Sequence, residues 1–349
     1  MLFEARLSLF LLLATLGSSP AFAQNPGSST NPFTGVISLD VVVTPKSGPP
    51  VADLQQQDFS ITDNKVPQTI SSFRVVRGRD AQVEVILVVD DVNTGFDRVA
   101  FERSEIDKFL RDDKGYLSYP TTLAILTDSG LNIQEASSTD GNALSASLDQ
   151  FNIPLHTVLR SAGIYGADER FELSLNALYQ LAHREANRPG RKIFLWVSPG
   201  WPLLSGPGVE LQMDDKQRKQ VFDNVVRLST LLRLARITIY SVDPLGMSDF
   251  GGRAFYWSAF TKGISKASQA DWGDIALQVL AVQSGGLALT ISNDVAAELH
   301  QCLADMQTYY EISYVPSADQ KPAPYHQIEV RVARPGLEAR TRQGYYAQP

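Results

Sequence analysis

Cysteine is almost missing from this sequence: Cys302 is the only one in 349 residues. A lone thiol cannot close an intramolecular bridge, so a disulfide-stapled scaffold is excluded. Histidine is scarce too, and His156, His183, His300 and His326 form no His-Glu-x-x-His pair. No Gly-x-Ser-x-Gly elbow is present, and Gly206-Pro207-Gly208 lacks the lysine of a phosphate-binding loop. The doublets Asp90-Asp91, Asp112-Asp113 and Asp214-Asp215 are carboxylates adjacent in sequence, which point in different directions and so make no acid-base pair. The chain therefore reads as non-enzymatic. Positive charge is not in excess: 31 Lys and Arg face 38 Asp and Glu, a net charge of -7 with no basic stripe. That argues against nucleic acid as a partner. No apolar run reaches the roughly 18 residues of a membrane-spanning helix, so the mature chain has no transmembrane segment.

What is present begins with a short apolar run, Leu7 to Leu16, behind Arg6. Ala21-Phe22-Ala23 follows as a small-x-small cleavage pattern. Ten apolar residues are too few to span a bilayer, and the segment reads as a secretory signal peptide over 1–23. The mature protein is then exported, to the periplasm or the extracellular space. Residues 24–34, rich in Pro, Gly and Ser, read as a linker. Cys302 shares helical spacing with Val295, Leu299, Leu303 and Met306, the pattern of a buried free thiol.

Two periodicities alternate along the rest. Ile37, Leu39, Val41 and Val43 alternate with other residues, the period-2 mark of a strand. Phe59 to Ile61 and Ile70 to Val76 flank Asp63-Asn64-Lys65 as a hairpin. Val83–Val89, Ile193–Val197 and Ile237–Val242 are short apolar runs of strands buried on both faces, separated by the helical spacings of Val99–Leu110, Phe171–Ala182 and Val221–Leu232. Asp128-Ser129-Gly130 joins the next two strands as a hairpin, making one edge strand antiparallel. The expected fold is α/β, a doubly wound, mostly parallel sheet. From Thr308 the period returns to two, at Tyr310, Ile312, Tyr314 and at Ile328, Val330, Val332. The expected organisation is an N-terminal β segment over 35–79, an α/β domain over 80–307, and a C-terminal β segment over 308–349 packing with 35–79. Each β piece is too small for its own core, so both chain ends build one antiparallel β-sandwich.

Ligands of open α/β sheets bind outside the carboxyl ends of the strands. Those ends carry Asp90, Asn93 and Thr94, then Ser198 and Trp201, then an aromatic loop with Phe250, Phe255, Tyr256, Trp257, Phe260 and Trp272. Asp, Asn and Thr also suit a helix N-cap, which alone accounts for the first group. The aromatic loop reads equally as a cover for the sheet or, if exposed, as an apolar contact face.

The order of elements and several stretches resemble the von Willebrand factor type A (VWFA) domain, and more narrowly the VWFA-related family described from Acidobacteria. These stretches are Val51-Ala52-Asp53-Leu54 with Asp58-Phe59, Asp90-Asp91-Val92-Asn93-Thr94, Arg191-Lys192-Ile193, Tyr240-Ser241-Val242-Asp243-Pro244, Ser284-Gly285-Gly286, Tyr309-Tyr310 and Gly344-Tyr345-Tyr346. The resemblance spans essentially the whole mature chain. It implies a Rossmann-like, von Willebrand factor A-like fold and binding of a protein or cell-surface ligand. It also implies a metal-ion-dependent adhesion site built on Asp-x-Ser-x-Ser. Asp90 and Thr94 match its first and last positions, as metal ligands for a divalent cation such as magnesium. Val92 stands where the middle serine belongs, Ser198-Pro199-Gly200 replaces Thr-Asp-Gly, and Asp168 is the one substitute for a distant threonine. The site is degenerate, and no cofactor is expected. The implied function is an exported adhesion-type, protein-binding module, with Asp90, Asn93, Thr94, Ser198, Trp201 and Trp257 as ligand-binding residues. A secreted hydrolase with an unrecognised site, or a structural component of an envelope assembly with long exposed β edges, are the alternatives.

Overall fold

A computed structural model describes residues 35–78, 82–151, 164–202, 204–205, 213–246, 255–317 and 323–347. The expected signal peptide and linker, His156, Gly206-Pro207-Gly208 and Phe250 lie outside the described residues. The chain opens with β1 (Ile37–Pro45), β2 (Phe59–Asp63), β3 (Val66–Gln68) and β4 (Ile70–Arg77). It continues through β5 (Val83–Asp90), α1 (Phe96–Arg111), β6 (Tyr116–Thr127), β7 (Gly130–Ile133), β8 (Ser138–Asp140), α2 (Gly141–Gln150) and α3 (Ile164–Glu185). Next come β9 (Arg191–Val197), α4 (Asp215–Leu234), β10 (Ile237–Val242), α5 (Leu277–Gln283), β11 (Ala288–Leu289) and α6 (Val295–Ala304). The chain returns to strands with β12 (Thr308–Tyr314), β13 (Tyr325–Val332), β14 (Leu337–Arg340) and β15 (Gly344–Tyr346).

The central sheet runs β11-β10-β9-β5-β6-β7, with β8 beside β6. β5, β6, β9, β10 and β11 are parallel, whereas β7 and β8 run antiparallel to β6. This is the doubly wound, mostly parallel architecture that the alternating pattern predicts. Helices cover both faces, which is why β5, β9 and β10 carry almost unbroken apolar runs. On β5, Ile86 and Val88 face α3, α4 and α5, while Val85, Leu87 and Val89 face α1, α2 and α6. Cys302 is buried on the second face, as its spacing predicts, and burial pushes its thiol well above the ordinary range. Such a thiol is not a nucleophile. Asp214, one of the paired carboxylates, is the N-cap of α4: it accepts from the Gln217 backbone N–H at 2.7 Å, and the Gln217 side chain accepts from Asp214 N–H at 2.9 Å.

Both chain ends form the sandwich. One sheet is β14-β1-β12-β4 and the other β15-β13-β2-β3. Leu39, Val41, Ile61, Tyr310, Ile312 and Val330 fill the space between them. The 63–65 turn is present, with Asn64 and Lys65 at φ of 48° and 68°. Its second arm differs from expectation: β2 pairs with the short β3, and β4 crosses to the opposite sheet to pair with β12. The long exposed edges also fail to appear at most outer strands. β3, β14 and β15 have three, four and three residues, and β3 carries Pro67, features that blunt strand-to-strand addition.

Several stretches that carry the family resemblance sit where the sandwich meets the α/β layers. Arg191 lies over the Tyr309 ring at 4.7 Å, and Lys192 Nζ donates to Ala235 O at 2.9 Å beyond the end of α4. A Cβ at Gly286 would stand 1.8 Å from the Ile239 carbonyl oxygen, so only glycine fits between β10 and α5 there.

Candidate functional site

In the central sheet the strand order reverses between β5 and β9, which are neighbours. Asp90 ends β5 and Ser198 follows β9, so the two stand at the switch point where doubly wound folds place their ligands. The chain leaves β5 in a tight turn, with Thr94 N–H donating to Asp90 O at 3.3 Å. These residues do not cap the first helix: its N-cap is Gly95, with no side-chain cap. Asp90 closes the turn instead, accepting from Asn93 N–H at 3.0 Å.

The Asn93 amide donates to Asp90 Oδ2 at 2.8 Å and to Ser174 Oγ on α3 at 2.8 Å. The indole Nε1 of Trp196, on β9, donates to Asp90 Oδ2 at 3.1 Å. The Ser198 hydroxyl bonds the same carboxylate while accepting from Gly200 N–H at 3.1 Å. A carboxylate offers about four acceptor positions, and the three N–H donors fill most of them. Burial raises the Asp90 pKa above the ordinary value, opposed by the hydrogen bonds from Asn93, Trp196 and Ser198.

Behind this turn lie two more buried carboxylates. Asp91 faces Arg103, with Nη2 3.4 Å from Oδ2. Glu102 of α1 is buried beside Thr94. Burial, and then the charges of Asp91 and Asp90, push its pKa well above the ordinary range. Burial beside two carboxylates with one neighbouring cation thus disfavours the charged form of Glu102.

The geometry does not fit a cation. The Asp90 oxygens already accept from the N–H groups of Asn93 and Trp196. Val92 is packed in the core, and Asp168 is exposed on α3 and contributes nothing. Among the described residues no group of three His, Cys, Asp or Glu side chains could hold a metal ion. Magnesium, manganese or calcium at millimolar concentration is therefore expected to shift the melting temperature by less than about 1 °C. A rise of several degrees, lost in Asp90→Asn, would restore the adhesion-site reading.

The expected ligand-binding residues divide into an inner and an outer group. Asp90, Thr94 and Ser198 are fully buried, and Asn93 is half-buried. Trp201, expected as an exposed anchor, is 4% exposed. It packs edge-on to Trp196 at 5.5 Å and to Phe171 at 6.2 Å, and Phe171 meets Trp272 at 5.8 Å. Trp201 thus belongs to the core, because the loop after β9 folds down over the sheet. The outer group is the segment after β10. Phe255 is 50% exposed, Tyr256 and Trp257 are half-buried, and Tyr256 packs on Phe260 at 5.0 Å. The Trp257 indole N–H has no acceptor among the described residues.

Ser174, Trp196, Glu102 and Arg103 complete the site and were not singled out by sequence. Glu102 was open to notice, since it falls on the α1 stripe three residues after Val99 and four before Ile106. A carboxylate on an apolar stripe signals a buried polar contact. Trp196 gives no such signal inside an apolar strand.

A scan against protein-family models finds no match, and a search of curated proteins finds none. Solved structures do match in part. The SpRpn10 VWA domain is 13% identical, covering 65% of this chain and 97% of its own, with a TM-score of 0.30. The manganese-loaded Plasmodium vivax TRAP protein is 10% identical, covering 78% of this chain and 97% of its own, with a TM-score of 0.34. Among the described residues no helix is long and apolar enough to cross a membrane.

Proposed function

We propose that this chain is an exported, non-enzymatic protein-binding module of the adhesion type, acting without a metal ion. The observation that carries the reading is the outer aromatic group: Phe255, half exposed, with Tyr256 and Trp257 beside it, on the segment that follows β10. Exposed aromatics of this kind are the anchors that protein interfaces favour. The ligand is a protein or cell-surface component. The signal-peptide pattern over 1–23 supports export, and the ordered sequence stretches support membership of the VWFA-related family described from Acidobacteria. The sealed carboxyl cluster at the switch point and the buried Cys302 support a role without catalysis.

The test is retention from envelope extract on immobilised wild type and on a Phe255→Ser, Trp257→Ala double variant. One polypeptide should bind wild type saturably, and about tenfold or more weakly to the double variant at an unchanged melting temperature. Equal retention by both, or turnover of ester, peptide or glycoside substrates by the wild type, would overturn the reading.

A further inference from the structure

At the junction of the sandwich and the α/β layers, positive charge outnumbers negative. The guanidinium groups of Arg191, Arg233, Arg236 and Arg342 gather there around the carboxylates of Asp40 and Glu311. Arg236 is neutralised twice, with Nη2 2.5 Å from Asp40 Oδ1 and 2.6 Å from Glu311 Oε1. Arg191 Nε lies 3.8 Å from the other Asp40 oxygen, and Arg74 shares Glu311. The two carboxylates are thereby committed.

Arg342 is the least compensated of the four. It is 8% exposed and makes no side-chain hydrogen bond among the described residues, and the carboxylate that attracts it, Asp40, is already shared by Arg236 and Arg191. Burial, and then the neighbouring charge of Arg233, push its pKa down to about 10. A buried cation whose counter-charge is shared with two other guanidinium groups is incompletely compensated. Its guanidinium lines a small cavity of about 10 Å³, together with Arg233, Arg236, Thr341, Ser284 and one carboxylate, Asp40, which is bonded to Arg236. The Thr341 hydroxyl is buried and has no partner either. The room is about that of one water-sized body. A water supplies lone pairs but no charge, and a sulfate or phosphate exceeds the space.

We propose that this cavity is a binding site for one small monovalent inorganic anion of chloride size, held between Arg342, Arg233 and the Thr341 hydroxyl. The anion adds the negative charge that Asp40 and Glu311 do not supply in full, and locks the sandwich to the α/β layers. It is independent of the aromatic face.

The test compares thermal melts of the mature chain in sodium chloride and in sodium gluconate at equal ionic strength. Chloride should raise the melting temperature saturably by roughly 3 °C or more, and Arg342→Met should abolish that increment. The surface variant Arg74→Met should retain it. An equal melting temperature in the two salts, or the same increment in Arg342→Met, would overturn the site. If Arg342→Met does not fold, anomalous diffraction from wild-type crystals grown in bromide decides. A bromide peak between Arg342 and Arg233 supports the site, and a cavity holding only water overturns it.

Discussion

Asp63→Ala is expected to remove about 4 kcal/mol or more of folding free energy, the largest effect of any single substitution considered for this chain. Asp63 closes β2 inside the sandwich core and is fully buried. Its Oδ2 accepts from the hydroxyls of Tyr314 at 3.0 Å and Tyr345 at 2.8 Å, and its Oδ1 pairs with His326 Nδ1 at 2.8 Å. His326 in turn stacks on Tyr345, with ring centroids 4.7 Å apart. One carboxylate thus joins β2 to β12, β13 and β15. Removing it leaves three buried donors without their acceptor, and each hydrogen bond to a charged group contributes about 1.5–3 kcal/mol. Asp63→Asn keeps the size and one acceptor oxygen, and should lose less. Urea denaturation measures both. A loss below about 1.5 kcal/mol for Asp63→Ala would mean that the sandwich does not depend on this cluster.

The same group sets an acid limit. Burial alone would raise the Asp63 pKa, but the bonds from His326, Tyr345 and Tyr314 hold it below the ordinary value of 3.8. A lowered carboxyl contributes stability above its unfolded pKa and loses it as pH falls through the folded value. The stability gap between wild type and Asp63→Asn should therefore narrow below about pH 4.

Trp201→Ala is expected to destabilise by about 3–5 kcal/mol, as the deletion of a buried indole does. The void would open between Trp196 and Phe171, directly beside the indole that bonds Asp90. Trp201→Phe should lose about 1 kcal/mol or less, because it also removes an indole N–H that has no acceptor among the described residues. The contrast separates a core role from an interface role. A Trp201→Ala protein as stable as wild type that lost its partner would return this residue to the contact surface.

Much of the fold was legible because the buried strands announce themselves. β5, β9 and β10 read as apolar runs, and Asp90 stood out because the first run stops at it. What escaped had a weak local pattern. α2 carries only Leu144 and Leu148 as large buried residues among Ser, Asn and Ala, so its stripe is too thin to see. The hairpin turn at Asn64-Lys65 was readable, but β4 changes sheets after a three-residue arm, a choice made by distant β12. At the site, sequence named Asp90 and could not name what answers it. Trp196 and Ser174 reach Asp90 and Asn93 from other elements, and spacing along the chain says nothing of that meeting. Trp201 misled for a related reason. An aromatic in a loop looks the same in sequence whether it faces water or folds inward.

The division of the sandwich between both chain ends also dictates an order of events during biosynthesis. β1, β2 and β4 are made first, yet β12, β13 and β14, with which they pair, are made last. Asp63 waits 282 positions for Tyr345. Pairings this remote in sequence are slow to close, and the early strands stay exposed while the α/β layers are synthesised and fold. In a chain synthesised from its N-terminus, those first strands emerge as unpaired, aggregation-prone edges. Completion of the sandwich is then the last step of maturation, and a chain truncated before Tyr345 would leave them open to holding chaperones and proteases.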